Sequence, residues 1–204
     1  MKKIVIATNN KGKYSEIKNI LKSVHGLSQV EFLSLKDFPS IPPVEEDGKT
    51  MQENSIKKAV TVSKLTNLIT LADDTGLEVK ALNGQPGVYS ARFAGPGCTY
   101  NDNNKKLIEM MKDVPEEQRA AKFICVITIA KPTGDYYLME GALRGIITTR
   151  EQGKNGFGYD PIFLVPQYNK TLAELDFDTK NKSSHRYKAI NKSKKILVEL
   201  INKF

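Results

Sequence analysis

Short apolar runs alternate with segments of helical period from the start of this chain, and that alternation restricts it to an α/β fold. A strand is expected over residues 3–7, a helix over 12–24 and a second short strand over 30–35. Beyond the proline-bearing loop 39–43, Thr50-Met51-Gln52-Glu53 has the pattern of a capping box and opens a helix to about residue 65. An apolar strand over 68–72 ends at Ala72, a hairpin-like segment covers 77–82 before Asn83-Gly84, and a helix spans 101–112. Strands over 121–131 and 135–143 flank the turn Pro132-Thr133-Gly134. A glycine-rich loop over 153–158 precedes a strand over 162–165. The last helix, 184–202, places Ala189, Ile190, Ile196, Leu197, Leu200 and Ile201 at helical spacing. With no repeat, low-complexity linker or composition break, the economical architecture is one mixed α/β domain around a central mixed sheet.

At 204 residues the chain is long enough to bury most of its apolar surface without disulfide staples. No apolar run approaches the length of a membrane span, and the apolar run behind Lys2 and Lys3 is too short for a signal-peptide core. A soluble, cytoplasmic protein is the expectation. Cys98 sits in a Gly/Pro-rich loop and Cys125 within an apolar strand, contexts too different for a metal pair. The net charge of +8 is concentrated at the end of the chain. From Lys180 onward there are eight basic residues against Glu199 alone, leaving the remainder near neutral. Such a helix is a solvated face, a phosphate-binding edge or a nucleic-acid patch. Aromatic residues are sparse along it, which weakens the case for a single-strand stacking platform.

Several polar constellations interrupt this scaffold. Asp73 and Asp74 close the apolar strand and are expected in an acidic turn before Gly76, either solvated or gathered around a cation, because adjacent carboxylates repel unless a counter-charge lies between them. Glu45 and Glu46 form a second carboxylate pair, and hard oxygen donors in that number suit magnesium. Thr8, Asn9, Asn10, Lys11, Gly12 and Lys13 leave a strand and enter a helix, a corner where free N–H groups and ammonium groups can bind phosphate. It is not a Walker A loop, since the first glycine is missing and Tyr14 replaces the expected Ser/Thr. Lys58 is either a helix-surface ion-pair partner or a cation for polyphosphate. Phe157 lies between Gly156 and Gly158, where it can pack in the core or stack on a flat ligand. His185 and Arg186 follow Ser184 at a helix start, where cations oppose the macrodipole and an acceptor-rich ligand would give them a role.

Taken in order, six segments resemble the inosine triphosphate pyrophosphatase family across nearly the whole chain: Ala7 to Lys13, Val44-Glu45-Glu46 with Glu53-Asn54, Ala72 to Leu77, Pro86 to Arg92, Gly156 to Pro161 and Ser184-His185-Arg186. The resemblance implies an elongated mixed central β-sheet flanked by helices, two lobes with the active-site cleft between them, and a homodimer. It implies magnesium-dependent hydrolysis of ITP, dITP or XTP to the monophosphate and pyrophosphate. By motif, Thr8 to Lys13 would bind the triphosphate and Asp74 would be the general base. Glu45 and Asp74 would hold magnesium, with Glu46 and Asp73 beside them. Thr75 stands at a substrate-contacting position, Phe157, Gly158, Tyr159, Asp160, Lys180, His185 and Arg186 at base-binding ones, and Lys58 near the phosphates. Donors aimed at a 6-oxo group would meet a 6-amino donor in adenine, and unpaired buried donors of that kind would reject ATP by roughly tenfold to over a hundredfold per contact. Two rivals remain: a pyrophosphatase for modified pyrimidine triphosphates, and a nucleic-acid module built on the basic helix.

Overall fold

The computed structural model of the chain describes residues 2–203. Its elements follow the expected alternation: β1 (Lys3–Ile6), α1 (Lys11–Lys22), β2 (Glu31–Ser34), α2 (Met51–Thr66), β3 (Ile69–Val79), β4 (Pro86–Gly87), α3 (Tyr100–Met110), β5 (Ala120–Ala130), β6 (Tyr136–Ile147), β7 (Phe163–Val165), β8 (Lys170–Thr171), α4 (Phe177–Ser183) and α5 (His185–Lys203). The strands form one mixed sheet in the order β2-β1-β3-β5-β6-β7-β8, with β4 also paired to β3. β1 runs parallel to β2 and to β3, with Ile4 opposite Phe32 on one side and Ile69 on the other. β4 on β3, and the β6-β7-β8 succession, are antiparallel. No helix among the described residues is long and apolar enough to cross a membrane.

The chain forms two compact units. The first comprises the residues up to Asp74, Cys125–Gly141 and those from Arg186 on; the second comprises Thr75–Ile124 and Ala142–His185. In the first unit, alternation along the strands builds two cores. Ile4, Ile6, Ile69 and Leu71 pack with Ile17 and Leu21 of α1 and with Ala189 and Leu197 of α5. Val5, Ala7 and Ala72 pack instead with Ala59 and Val62 of α2. The second unit centres on Leu77, Leu107, Met111, Phe123, Ile147, Ile162 and Phe163, all buried. Truncating a side chain such as Leu71, which has no exposed surface, leaves a cavity of the kind that costs about 2–5 kcal/mol.

The structure departs from the sequence reading in two places that matter. The strand expected to stop at Ala72 continues through Asp73, Asp74, Thr75 and Gly76 to Val79. Backbone pairing explains this: β1 takes its first residues and β4 pairs with Leu77 and Glu78, so the acidic residues are carried inside the strand. The short helix α4 has no counterpart in the apolar pattern, because Phe177–Ser183 is mostly polar. It is set by Asp176, whose side chain accepts the Thr179 N–H at 2.8 Å.

Candidate active site

At the turn from β1 into α1 the backbone leaves a buried strand and must satisfy the first amides of a helix. Asn10 is the N-cap, its Oδ1 accepting the Lys13 N–H at 3.1 Å, and Thr8 Oγ1 accepts the Asn10 N–H at 3.2 Å. Thr8 and Asn10 therefore build the corner, while Asn9 and Lys11 lie exposed on it and Gly12 is half-buried. No acidic residue occupies the first turn of α1, so its positive end is uncompensated from within the helix.

Because Asp73 and Asp74 are consecutive in a strand, their side chains project to opposite faces of the sheet. Asp73 follows Leu71 onto the face covered by α1 and α5, where its carboxylate lies 3.0 Å from Lys13 Nζ and 3.3 Å from Arg186 Nη2. Arg186 also pairs with Glu16 through Nη1. Burial alone would push the Asp73 carboxyl up; the charges of Lys13, Arg186 and Lys58 outweigh it and hold the group well below the carboxylate range. Burial likewise works against the Lys13 ammonium, and Asp73 and Asp74 together more than offset it.

Asp74 follows Ala72 onto the face covered by α2, where Asn54 Nδ2 donates to its Oδ2 at 3.2 Å. Burial raises this carboxyl above its usual value, with Glu46 and Asp73 adding to the effect against Lys13 and Lys58. Glu46 pairs with Lys58 at 2.7 Å, and Glu45 is exposed. The structure thus carries Asp73 and Asp74 inside a strand rather than in the expected acidic turn, and divides the pair between the two faces of the sheet. Among the described residues there is no cluster of three or more carboxylate, thiol or imidazole groups able to hold a metal. Magnesium nevertheless fits the donors on the α2 face: it is usually held by one or two carboxylates with waters and substrate phosphates completing its shell. Asp74, buried with the negative charge of Glu46 nearby, is a carboxylate that a cation would relieve.

In the second unit, the glycine-rich loop is organised by Asp160. Its Oδ2 accepts the Phe157 N–H at 2.8 Å and the Lys180 ammonium at 2.5 Å. Lys180 Nζ also lies 4.8 Å from the centroid of the half-buried Phe157 ring, and the Tyr100 ring lies 6.2 Å from it. Gly156 has φ +78°, and a Cβ there would collide with Asp160 Oδ2 at 2.0 Å, so this close approach requires glycine. Gly158 is half-buried beside Tyr159, which is a core residue whose hydroxyl donates to Ser90 O at 2.9 Å. His185 is buried and stacks on Phe123 with ring centroids 4.6 Å apart. Thr75 is half-buried. The structure therefore brings Phe157, Asp160 and Lys180 into direct contact, whereas Arg186 belongs to the first unit with Asp73 and Glu16.

A protein-family model, that of the Ham1 family, matches residues 4–196. The chain belongs to the Ham1 family. Relatives named dITP/XTP pyrophosphatase include one from Desulforamulus reducens, 48% identical over 97% of this chain and 96% of its own length. Another, from Elusimicrobium minutum, is 50% identical over 95% of this chain and 99% of its own. Among solved structures, a HAM1 protein from Coxiella burnetii superposes with TM-score 0.86 at 39% identity, covering 98% of this chain and all of that one. A Mycobacterium abscessus structure described as a nucleoside-triphosphatase / dITP/XTP pyrophosphatase gives TM-score 0.71 at 36% identity, covering 97% and 98% of the two chains. The mixed α/β fold and the family read from the six motifs are both borne out.

Two residues of this Ham1-family chain escaped the sequence reading. Glu16 is the buried partner of Arg186, and its signal was an acidic residue on the helix stripe that includes Ile17, Ile20 and Leu21. Asn54 figured in the resemblance without a role; it contacts Asp74 directly, and nothing in its local sequence marks a polar side chain at helical spacing from Met51 and Lys58 as a site residue.

Proposed function

We infer that this chain hydrolyses non-canonical purine nucleoside triphosphates, dITP, XTP and ITP, to the monophosphate and pyrophosphate. That it is a nucleoside triphosphate pyrophosphatase follows from its family; the choice of nucleotide rests on relatives named for dITP and XTP at about half identity over nearly the full chain. Supporting this reading at the residue level is the pair of environments created by β3. Asp74 is the general base, taking the proton of the water that opens the α–β anhydride, its carboxylate held on the α2 face by the Asn54 amide. Asp73 keeps Lys13 charged and directed, so that Lys13, with the amides and side chains of Thr8 to Gly12, receives the triphosphate. Lys58 adds positive charge beside Glu46 for the departing pyrophosphate.

Magnesium would be held by Asp74 with Glu45 or Glu46, and when bound it supplies positive charge to the phosphate oxygens. Phe157 provides a face for the purine, and Lys180, fixed by Asp160, is the donor for its 6-oxo group. His185 and Arg186 complete the base-binding set that the family motif marks, Thr75 contacts substrate next to Asp74, and the protein works as a homodimer. The test is to supply magnesium and, separately, dITP, ITP, XTP, ATP and GTP, and to identify the released product. Pyrophosphate released preferentially from the first three supports the reading. Orthophosphate, or equal release from ATP, overturns it. Sedimentation of the active protein tests the dimer.

A further inference from the structure

The amide of Asn54 bonds on both sides. Its Oδ1 accepts the Gly48 N–H at 2.8 Å, and its Nδ2 donates to Asp74 Oδ2 at 3.2 Å. Its orientation is chemically determined, because a backbone N–H can only donate and so must face the amide oxygen, which turns the NH2 group to the carboxylate. Asn54 is 1% exposed, in the first turns of α2. Gly48 lies on the segment that carries Glu45 and Glu46, and a Cβ at Gly48 would stand 2.7 Å from Asn54 Oδ1 and 2.8 Å from Glu53 Cβ. Only glycine lets that segment approach so closely. Two further ties hold the same segment to α2: Glu46 to Lys58 at 2.7 Å, and Asp47 to Lys57 at 2.6 Å. A single buried side chain thus joins the two carboxylate-bearing elements of this face.

We propose that Asn54 is a positioning residue for hydrolysis, setting the Asp74 carboxylate against the Glu45–Glu46 segment through its two-sided amide. The inference rests on the pyrophosphatase reading above. Groups that orient a reacting or metal-holding carboxylate typically matter by about 10- to 100-fold in activity. Asn54→Ala therefore lowers kcat for dITP by about 10- to 100-fold, with KM within about threefold, because the groups that bind the triphosphate and base are elsewhere. Gly48→Ala, which leaves Asn54 in place but forces the segment away, reproduces the defect. The double variant is no worse than the more impaired single one, since both break the same link. Asn54→Asp separates the halves: it still accepts from Gly48 but faces Asp74 with a like charge, so kcat falls at least as far as in Asn54→Ala.

The experiment measures kcat and KM for dITP with all four variants, normalised to the sites that bind an α,β-methylene dITP analogue in calorimetry. Hydrogen exchange at the Gly48 amide is followed in parallel. Exchange is expected to quicken in Asn54→Ala and to stay slow in Asn54→Asp. Unchanged kcat per binding site in Asn54→Ala or Asn54→Asp, with only the melting temperature lowered, makes Asn54 a helix-packing residue and overturns the proposal. Multiplicative losses in the double variant overturn it as well. A wild-type protein that releases no pyrophosphate from dITP overturns the pyrophosphatase reading and this inference with it, whereas an active wild type with unaffected Asn54 variants overturns this inference alone.

Discussion

In β3 the carboxylates of Asp73 and Asp74 share a backbone but project to opposite faces, so each takes the chemistry of its own face. Asp73 is matched by Lys13 and Arg186, while Asp74 meets an amide and the charge of Glu46. Exchanging the proposed base for its amide, Asp74→Asn, is expected to lower kcat by about 10²- to 10⁴-fold while leaving nucleotide binding measurable by calorimetry. Arg186→Ala strands two buried carboxylates, Glu16 and Asp73. Removing one partner from such a network typically costs about 3–5 kcal/mol, read as a fall in the urea midpoint. The acid limb of stability carries the sign of Asp73. Its folded value lies below the ordinary value of about 4, so its contribution is complete above that pH and is lost as the pH falls through the folded value. In Asp73→Asn, urea stability should therefore start lower at neutral pH and decline less between about pH 4 and the acid limit. A decline as steep as that of the wild type would remove Asp73 from this account.

Among the elements, α2 does most to organise the proposed catalytic face, and its start follows the predicted capping pattern with one change. Thr50 Oγ1 accepts the Glu53 N–H at 3.1 Å, while the Glu53 carboxylate accepts from Lys49 N–H at 2.6 Å, one residue before the cap. Thr50→Ala should cost about 1 kcal/mol in thermal or urea unfolding. In β6, a Cβ at Gly145 would meet Leu164 O at 2.4 Å and the Phe163 ring at 2.5 Å. Since the obstacle is backbone of the paired strand β7, Gly145→Ala should destabilise by about 1–3 kcal/mol, the range of core overpacking, and shift β7 amide resonances. Strands β1, β2, β5, β6 and β7 and helices α1, α2, α3 and α5 were legible because burial on one or both faces writes itself as apolar period. The run Asp73 to Gly76 was not, since Asp, Thr and Gly mark turns locally and only pairing on β1 and β4 keeps them extended.

Across the whole molecule, the absence of a visible domain boundary has a direct cause. The chain passes between its two units three times inside long strands, at Asp74 in β3, before Cys125 in β5 and after Gly141 in β6, and once at the start of α5 between His185 and Arg186, with no linker for composition to reveal. None of the three cores contains a metal cage among the described residues, so chelation should abolish pyrophosphate release while leaving the melting temperature nearly unchanged; a large drop in melting temperature would mean that the ion is structural. By itself the sequence determined the α/β alternation and the family, and it singled out the β1–α1 corner and Asp74 for the roles proposed above, because these depend on residue type and order along one stretch of chain. Only the tertiary structure decided that Asp73 serves Lys13 and Arg186, that Glu16 completes their network and that Asn54 joins Gly48 to Asp74. Each of those assignments depends on which sheet face a side chain reaches and what a distant segment places there, and local periodicity carries no record of either.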